Sequence, residues 1–171
     1  MTNRTPDPPP ATTPIRILFV CLGNICRSPS AEGMFRTIVW RAGLSDRIGA
    51  DSAGTSNYNI GQPPDPRAQT AARRRGFDIA PIRARQIDVS DFERYDLILA
   101  MDAKNRGKLL RLCPPGKEDR VKLLLEFAPG ITRRDIPDPY GGSEDGFETV
   151  LDLIETAALG LLDHLRRDRS L

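Results

Sequence analysis

From Ile15 onward, short apolar runs alternate with stretches in which hydrophobic residues recur at helical spacing. The run 15–20 is apolar and rich in β-branched and aromatic side chains, which predicts a buried strand. Further strand-like runs fall near 48–53, 96–101 and 121–127. Between them the period changes. Ala31, Met34, Phe35, Ile38, Val39 and Ala42 share one face of a predicted helix that Gly43 stops, and Pro29 suits its first turn. Asp65 is placed to cap a second helix, with Pro66 at the first position and Gly76 past the end. Asp102 is placed to cap another, which carries Leu109 and Leu110. A last helix aligns Phe147, Val150, Leu151, Ile154, Ala158, Leu161 and Leu165 and is expected to dock on the sheet. Strands alternating with helices predict a parallel sheet covered on both faces.

The first residues break this pattern. Residues 1–14 hold five prolines, and only Met1 and Ala11 are available to bury, so a flexible tail is expected ahead of one folded domain, 15–171. A chain of 171 residues is long enough to build a core without disulfides. Lys and Arg number 25 against 23 Asp and Glu, and a net charge of +2 gives no basis for a nucleic-acid or membrane partner. No apolar run approaches membrane-spanning length and the N-terminus lacks the apolar core of a signal peptide, so a cytoplasmic location is expected. Three cysteines, an odd number with two of them five apart, fit a reducing compartment better than a disulfide framework.

Chemistry concentrates just after the first strand, in Val20-Cys21-Leu22-Gly23-Asn24-Ile25-Cys26-Arg27-Ser28-Pro29. A loop from a buried strand into a helix aims successive backbone N–H groups, and the positive end of the helix dipole, at one point. Gly23 and Asn24 tolerate the positive φ such a loop needs. An anion is expected there. Helix N-termini and nearby cations lower a thiol from about 8.5 to roughly 3.5–7.5, which would make Cys21 a thiolate at neutral pH, with the Ser28 hydroxyl able to hydrogen-bond the sulfur. Arg27 offers a planar fork for two oxygens of a phosphate, which lysine cannot copy.

Read together with Asp138-Pro139-Tyr140 far downstream, CLGNICRS resembles the low-molecular-weight protein tyrosine phosphatase family. The similarity runs over about residues 16–165 and includes Asp51-Ser52-Ala53-Gly54-Thr55, Pro63-Pro64-Asp65-Pro66-Arg67, Arg83-Ala84-Arg85-Gln86 and Met101-Asp102. It implies a three-layer α/β/α fold around a four-stranded parallel sheet of doubly wound type, with the site at the carboxyl ends of the strands. It further implies a phosphatase acting on phosphotyrosine-containing proteins and small aryl phosphates, as a monomer and without metal or organic cofactor.

In the roles so implied, Cys21 attacks phosphorus, Arg27 clamps the phosphoryl group, and Asp138 protonates the leaving oxygen and then activates water. The prolines on either side of Asp138 restrict its backbone. Asn24 and Ser28 support the loop. Leu22, Gly23, Ile25 and Cys26 surround the mouth, and Tyr58 and Tyr140 flank the substrate ring as aromatic walls. Ile25 stands where the arginine-phosphatase branch of the family carries threonine, which favours phosphotyrosine. Ile82 stands where many members have histidine, and Gly141 where they have a second tyrosine. Neither departure touches the nucleophile, clamp or acid.

The same residues admit other roles. Cys26 either packs or forms a reversible disulfide with Cys21. Cys113 is expected to pack, His164 to lie on a solvated face, and Arg73-Arg74-Arg75 to complement a helix dipole. Arsenate reduction on the same fold needs a cysteine pair after the central helices, and residues 76–100 contain none. A phosphopeptide-binding module without catalysis would lack the nucleophile or the acid, and both are present. The glycine pattern of a dinucleotide loop is absent.

Overall fold

The strand expected at 15–20 forms as β1 (Ile15–Cys21), and in the computed structural model, which describes residues 14–142 and 144–171, it lies inside a four-stranded sheet of order β2-β1-β3-β4. β2 (Ile48–Gly54), β3 (Leu97–Ala100) and β4 (Val121–Leu123) all run parallel to it. Most of the expected tail, residues 1–13, lies outside the described residues.

The alternation of side chains along β1 explains the layers. Ile17 and Phe19 point into one core with Phe35, Ile154 and Leu161, while Leu18 and Val20 point into another with Phe92 and Leu109. The first core lies under α1 (Arg27–Arg41), α2 (Pro66–Arg74) and α5 (Glu144–Arg169). The second lies under α3 (Asp91–Arg94) and α4 (Ala103–Leu112). Asp65 and Asp102 cap α2 and α4 as expected, accepting from Arg67 N at 2.8 Å and Asn105 N at 2.7 Å. All seven apolar residues aligned on the last helix are buried. From β1 the chain first goes outward to β2 and then crosses back to β3, so the connections diverge above the carboxyl ends of β1 and β3. At that divergence a crevice opens.

Three expectations need correction. The run 121–127 is a strand only to Leu123; Glu126 Oε2 accepts the Leu123 N–H at 2.6 Å, and Leu124–Phe127 winds into a 3-10 turn that buries Leu124 and Leu125. His164, expected on a solvated face, is half-buried, its ring meeting Phe127 edge-on at 5.1 Å. Arg75 does more than complement a dipole. It reaches Glu148, Asp152 and Glu155 of α5 at 2.9, 2.7 and 3.2 Å and fastens the end of α2 to that helix. Cys113 packs against the second core as expected.

Tyr95 offers a check on this packing. Its hydroxyl donates to Asp51 Oδ2 at 2.6 Å, and burial, followed by that carboxylate, pushes its pKa up to about 12. The neutral phenol therefore favours the fold below its ordinary value near 10, and that contribution is lost as pH rises through about 12. In a rapid pH jump read by tyrosinate absorbance before unfolding, wild type is expected to show a component ionising near pH 12 that Tyr95→Phe lacks. Persistence of that component in the variant would contradict the assignment.

Candidate active site

Cys21 is the last residue of β1, and its backbone stays tied to β2's exit: its carbonyl accepts from Thr55 N at 2.9 Å. The chain then turns sharply. Asn24 takes φ +56°, its N–H donates to Cys21 Sγ at 3.3 Å, and α1 begins at Arg27 with no side chain capping its start. The first N–H groups of the helix are thus left for a ligand in the loop. Gly54 makes room for this turn, since a methyl there would come within 2.8 Å of the Leu22 carbonyl.

Asn24 is 1 % exposed and works as the hub of the loop. Its amide donates to Ser28 Oγ at 2.8 Å and Ser52 Oγ at 3.0 Å, and its side-chain oxygen accepts from Arg85 N at 3.0 Å. The Ser28 oxygen accepts from Asn24, and its own hydrogen has two acceptors within reach, Cys21 Sγ at 3.0 Å and the Ala53 carbonyl at 3.3 Å. Ser52 in turn donates to Glu32 at 2.9 Å. Burial raises the Glu32 carboxyl above its ordinary value, against the pull of Arg36.

Arg27 is 3 % exposed and held from behind. Its Nη1 donates to Asp102 Oδ2 at 2.7 Å and to the Ile136 carbonyl at 2.9 Å. Both hydrogens of that nitrogen are used, which leaves the Nε and Nη2 edge for a ligand. Ile136 also donates from its N–H to Met101 O at 2.9 Å, so the segment leading to Asp138 is stitched onto the end of β3. Asp138 then sits with Oδ2 3.7 Å from Arg27 Nη2 and Oδ1 accepting the Tyr140 N–H at 3.1 Å.

A cleft of about 250 Å³ joins these groups, lined by Cys21, Leu22, Gly23, Ile25, Cys26, Arg27, Asp138, Tyr58 and Tyr140, together with Asn59. Every residue expected at the site lines it except Asn24 and Ser28, which support it from beneath. Tyr58 and Tyr140 stand 75 % and 58 % exposed at its rim. Cys26 is buried, and burial, followed by the charge of Asp65, pushes its thiol well above the usual range. Gly141 faces open space, with no atom within 4 Å of where a side chain would begin.

Sequence reasoning did not reach Asp102, Ser52, Asn59 and Glu32 as site residues. Asp102 reads along the chain only as a helix cap, yet one of its oxygens caps α4 and the other holds Arg27. The signal that could have found Asp102 and Ser52 is their place in segments that carry the family resemblance without contributing apolar surface.

A thiol at a strand end, beneath an uncapped helix N-terminus and beside a buried arginine and a carboxylate, defines a cysteine-dependent phosphate-handling protein on a doubly wound α/β fold. The family model for low molecular weight phosphotyrosine protein phosphatase matches residues 16–171, and the chain belongs to that family. It is 43 % identical to a putative low molecular weight protein-tyrosine-phosphatase of Synechocystis over 155 residues, covering 90 % of this chain and 98 % of that one. It is 44 % identical to the human low molecular weight phosphotyrosine protein phosphatase over 136 residues, 78 % of this chain and 85 % of that one. Among solved structures, a protein tyrosine phosphatase of Entamoeba histolytica with Hepes in its active site superimposes with a TM-score of 0.88 at 37 % identity, covering 91 % and 99 % of the two chains. YfkJ of Bacillus subtilis gives 0.87 at 40 % identity, covering 91 % and 97 %.

Proposed function

We propose that this protein hydrolyses phosphotyrosine in proteins, and small aryl phosphates, through a cysteinyl-phosphate intermediate. The observation that carries the reading is the convergence of Cys21 Sγ, the Arg27 edge and the Asp138 carboxyl on one cleft. Cys21 attacks phosphorus in line as the ester oxygen departs. The loop N–H groups and Arg27 hold the three equatorial oxygens, whose charge spreads in the loose transition state. Asp138, on the far side, gives its proton to the leaving phenolate. Asp138 then takes a proton from water, which attacks the cysteinyl phosphate and releases Cys21 and inorganic phosphate.

The rim supports the choice of ester. Tyr58 and Tyr140 flank the entrance, and a phosphoryl group must reach past them to the floor of the loop. Two aromatic side chains at the entrance favour a flat aryl ester over the short aliphatic arm of phosphoserine. Wild-type protein is expected to release phosphate from a phosphotyrosyl peptide and from phenyl phosphate, with a phosphoseryl peptide of the same sequence at least ~100-fold slower in kcat/KM. Vanadate is expected to compete. Equal rates on the two peptides would remove the reading. No helix among the described residues is long and apolar enough to cross a membrane, and three free cysteines support a reducing, cytoplasmic setting in which the enzyme works as a monomer on phosphotyrosine-containing proteins.

A further inference from the structure

The segment Pro63-Pro64-Asp65-Pro66-Arg67 enters α2 beside the phosphate loop, and its contacts run in two directions. Toward the loop, Asp65 N donates to the Ile25 carbonyl at 2.8 Å. Toward its own helix, the Asp65 carboxylate receives Arg67 as a fork, with Nε 3.1 Å from Oδ1 and Nη2 3.0 Å from Oδ2. The same guanidinium continues outward. Nη2 donates to the Tyr140 carbonyl at 2.7 Å, Nη1 donates to the Gly142 carbonyl at 3.1 Å, and the group stacks over the Phe147 ring at 4.8 Å.

Tyr140 joins this guanidinium to the acid. Its N–H holds the Asp138 carboxyl and its carbonyl is held by Arg67. The prolines beside Asp138 limit the backbone but leave the side chain free to rotate, and that side chain is 47 % exposed. The position of the carboxyl therefore depends on where the Tyr140 N–H lies.

We propose that Arg67 is a positioning residue for leaving-group protonation: it ties the segment bearing Asp138 to the phosphate loop through Asp65, and so sets the distance between the acid and the departing oxygen. The proposal rests on the phosphatase reading and adds to it a residue outside the cleft lining. A proton is transferred efficiently only within hydrogen-bond reach, and a shift of about 1 Å in the donor is costly. Esters whose leaving oxygen needs no proton are indifferent to that distance.

The test compares phenyl phosphate, a poor leaving group, with 2,4-dinitrophenyl phosphate, a good one, in wild type, Arg67→Met and Arg67→Lys. Methionine keeps an unbranched side chain over Phe147 and leaves the Arg67 N–H in place for the Asp65 cap. In Arg67→Met, kcat/KM is expected to fall about tenfold further on phenyl phosphate than on the dinitrophenyl ester, with inhibition by vanadate unchanged. Arg67→Lys, which reaches only one carbonyl at a time, is expected to show the same selective loss at smaller size, and it decides the matter if the methionine variant does not fold. Equal losses on both esters, no loss, or weakened vanadate inhibition would overturn the proposal, because the side chain would then act on the whole site or on none of it. Wild type hydrolysing neither ester would overturn the phosphatase reading first, and this inference with it.

Discussion

Cys21→Ser is expected to lower phosphate release by on the order of 10⁴-fold or more while leaving the fold and anion binding intact. The loop accommodates the smaller atom, since the donors from Asn24 N and Ser28 belong to neighbouring residues. What is lost is the nucleophile. A serine hydroxyl needs a base to remove its proton, and the only histidine, His164, is packed against Phe127 on α5 instead of lining the cleft. The sulfur needs no such base once it is ionised. Acid quenching during turnover should trap phosphate on wild type and none on the variant. Activity within roughly tenfold of wild type, or a trapped phosphoryl group in the variant, would mean that another residue attacks phosphorus.

Arg27→Lys is expected to reduce kcat by about 10²- to 10³-fold and to weaken vanadate inhibition as well. Arginine does two jobs with separate edges: Nη1 satisfies Asp102 and the Ile136 carbonyl, and the opposite edge meets the anion. An ammonium has no second edge. If it turns to Asp102 it abandons the phosphoryl oxygens, and if it turns to them it leaves a carboxylate, only 18 % exposed, without its partner. The Ile136 carbonyl also loses a donor, so the segment carrying Asp138 is loosened at its root. A variant with unchanged kcat and a raised KM would show that Arg27 holds the ester and its transition state equally.

Much of the fold is legible along the chain, for identifiable reasons. The four strand cores and the caps at Asp65 and Asp102 follow from local rules, in which the period of the apolar residues and one side-chain oxygen at a helix start decide the outcome. The β4 region departs from them where a local competitor intervenes: Glu126 reaches back to the Leu123 N–H and turns the chain before the apolar run ends. His164 and Arg75 mislead because both sit in sequence among charges, and only the packing of α5 brings Phe127 to one and three carboxylates to the other.

The order of residues in CLGNICRS alone set the nucleophile, the clamp and the positive-φ turn between them, because all three lie within one loop and need no distant partner to be recognised. The tertiary structure decided the rest. Asp138 stands 111 positions beyond Arg27 in the chain, and it arrives within 3.7 Å only because Ile136 is bonded to both Met101 and Arg27. The same holds for Asp102 behind Arg27, for Ser52 and Glu32 beneath Asn24, and for Arg67 across from Tyr140. Charged and hydroxyl side chains carry no periodic pattern that tells whom they will meet; their partners are fixed by which strands pair and which helix ends converge above them.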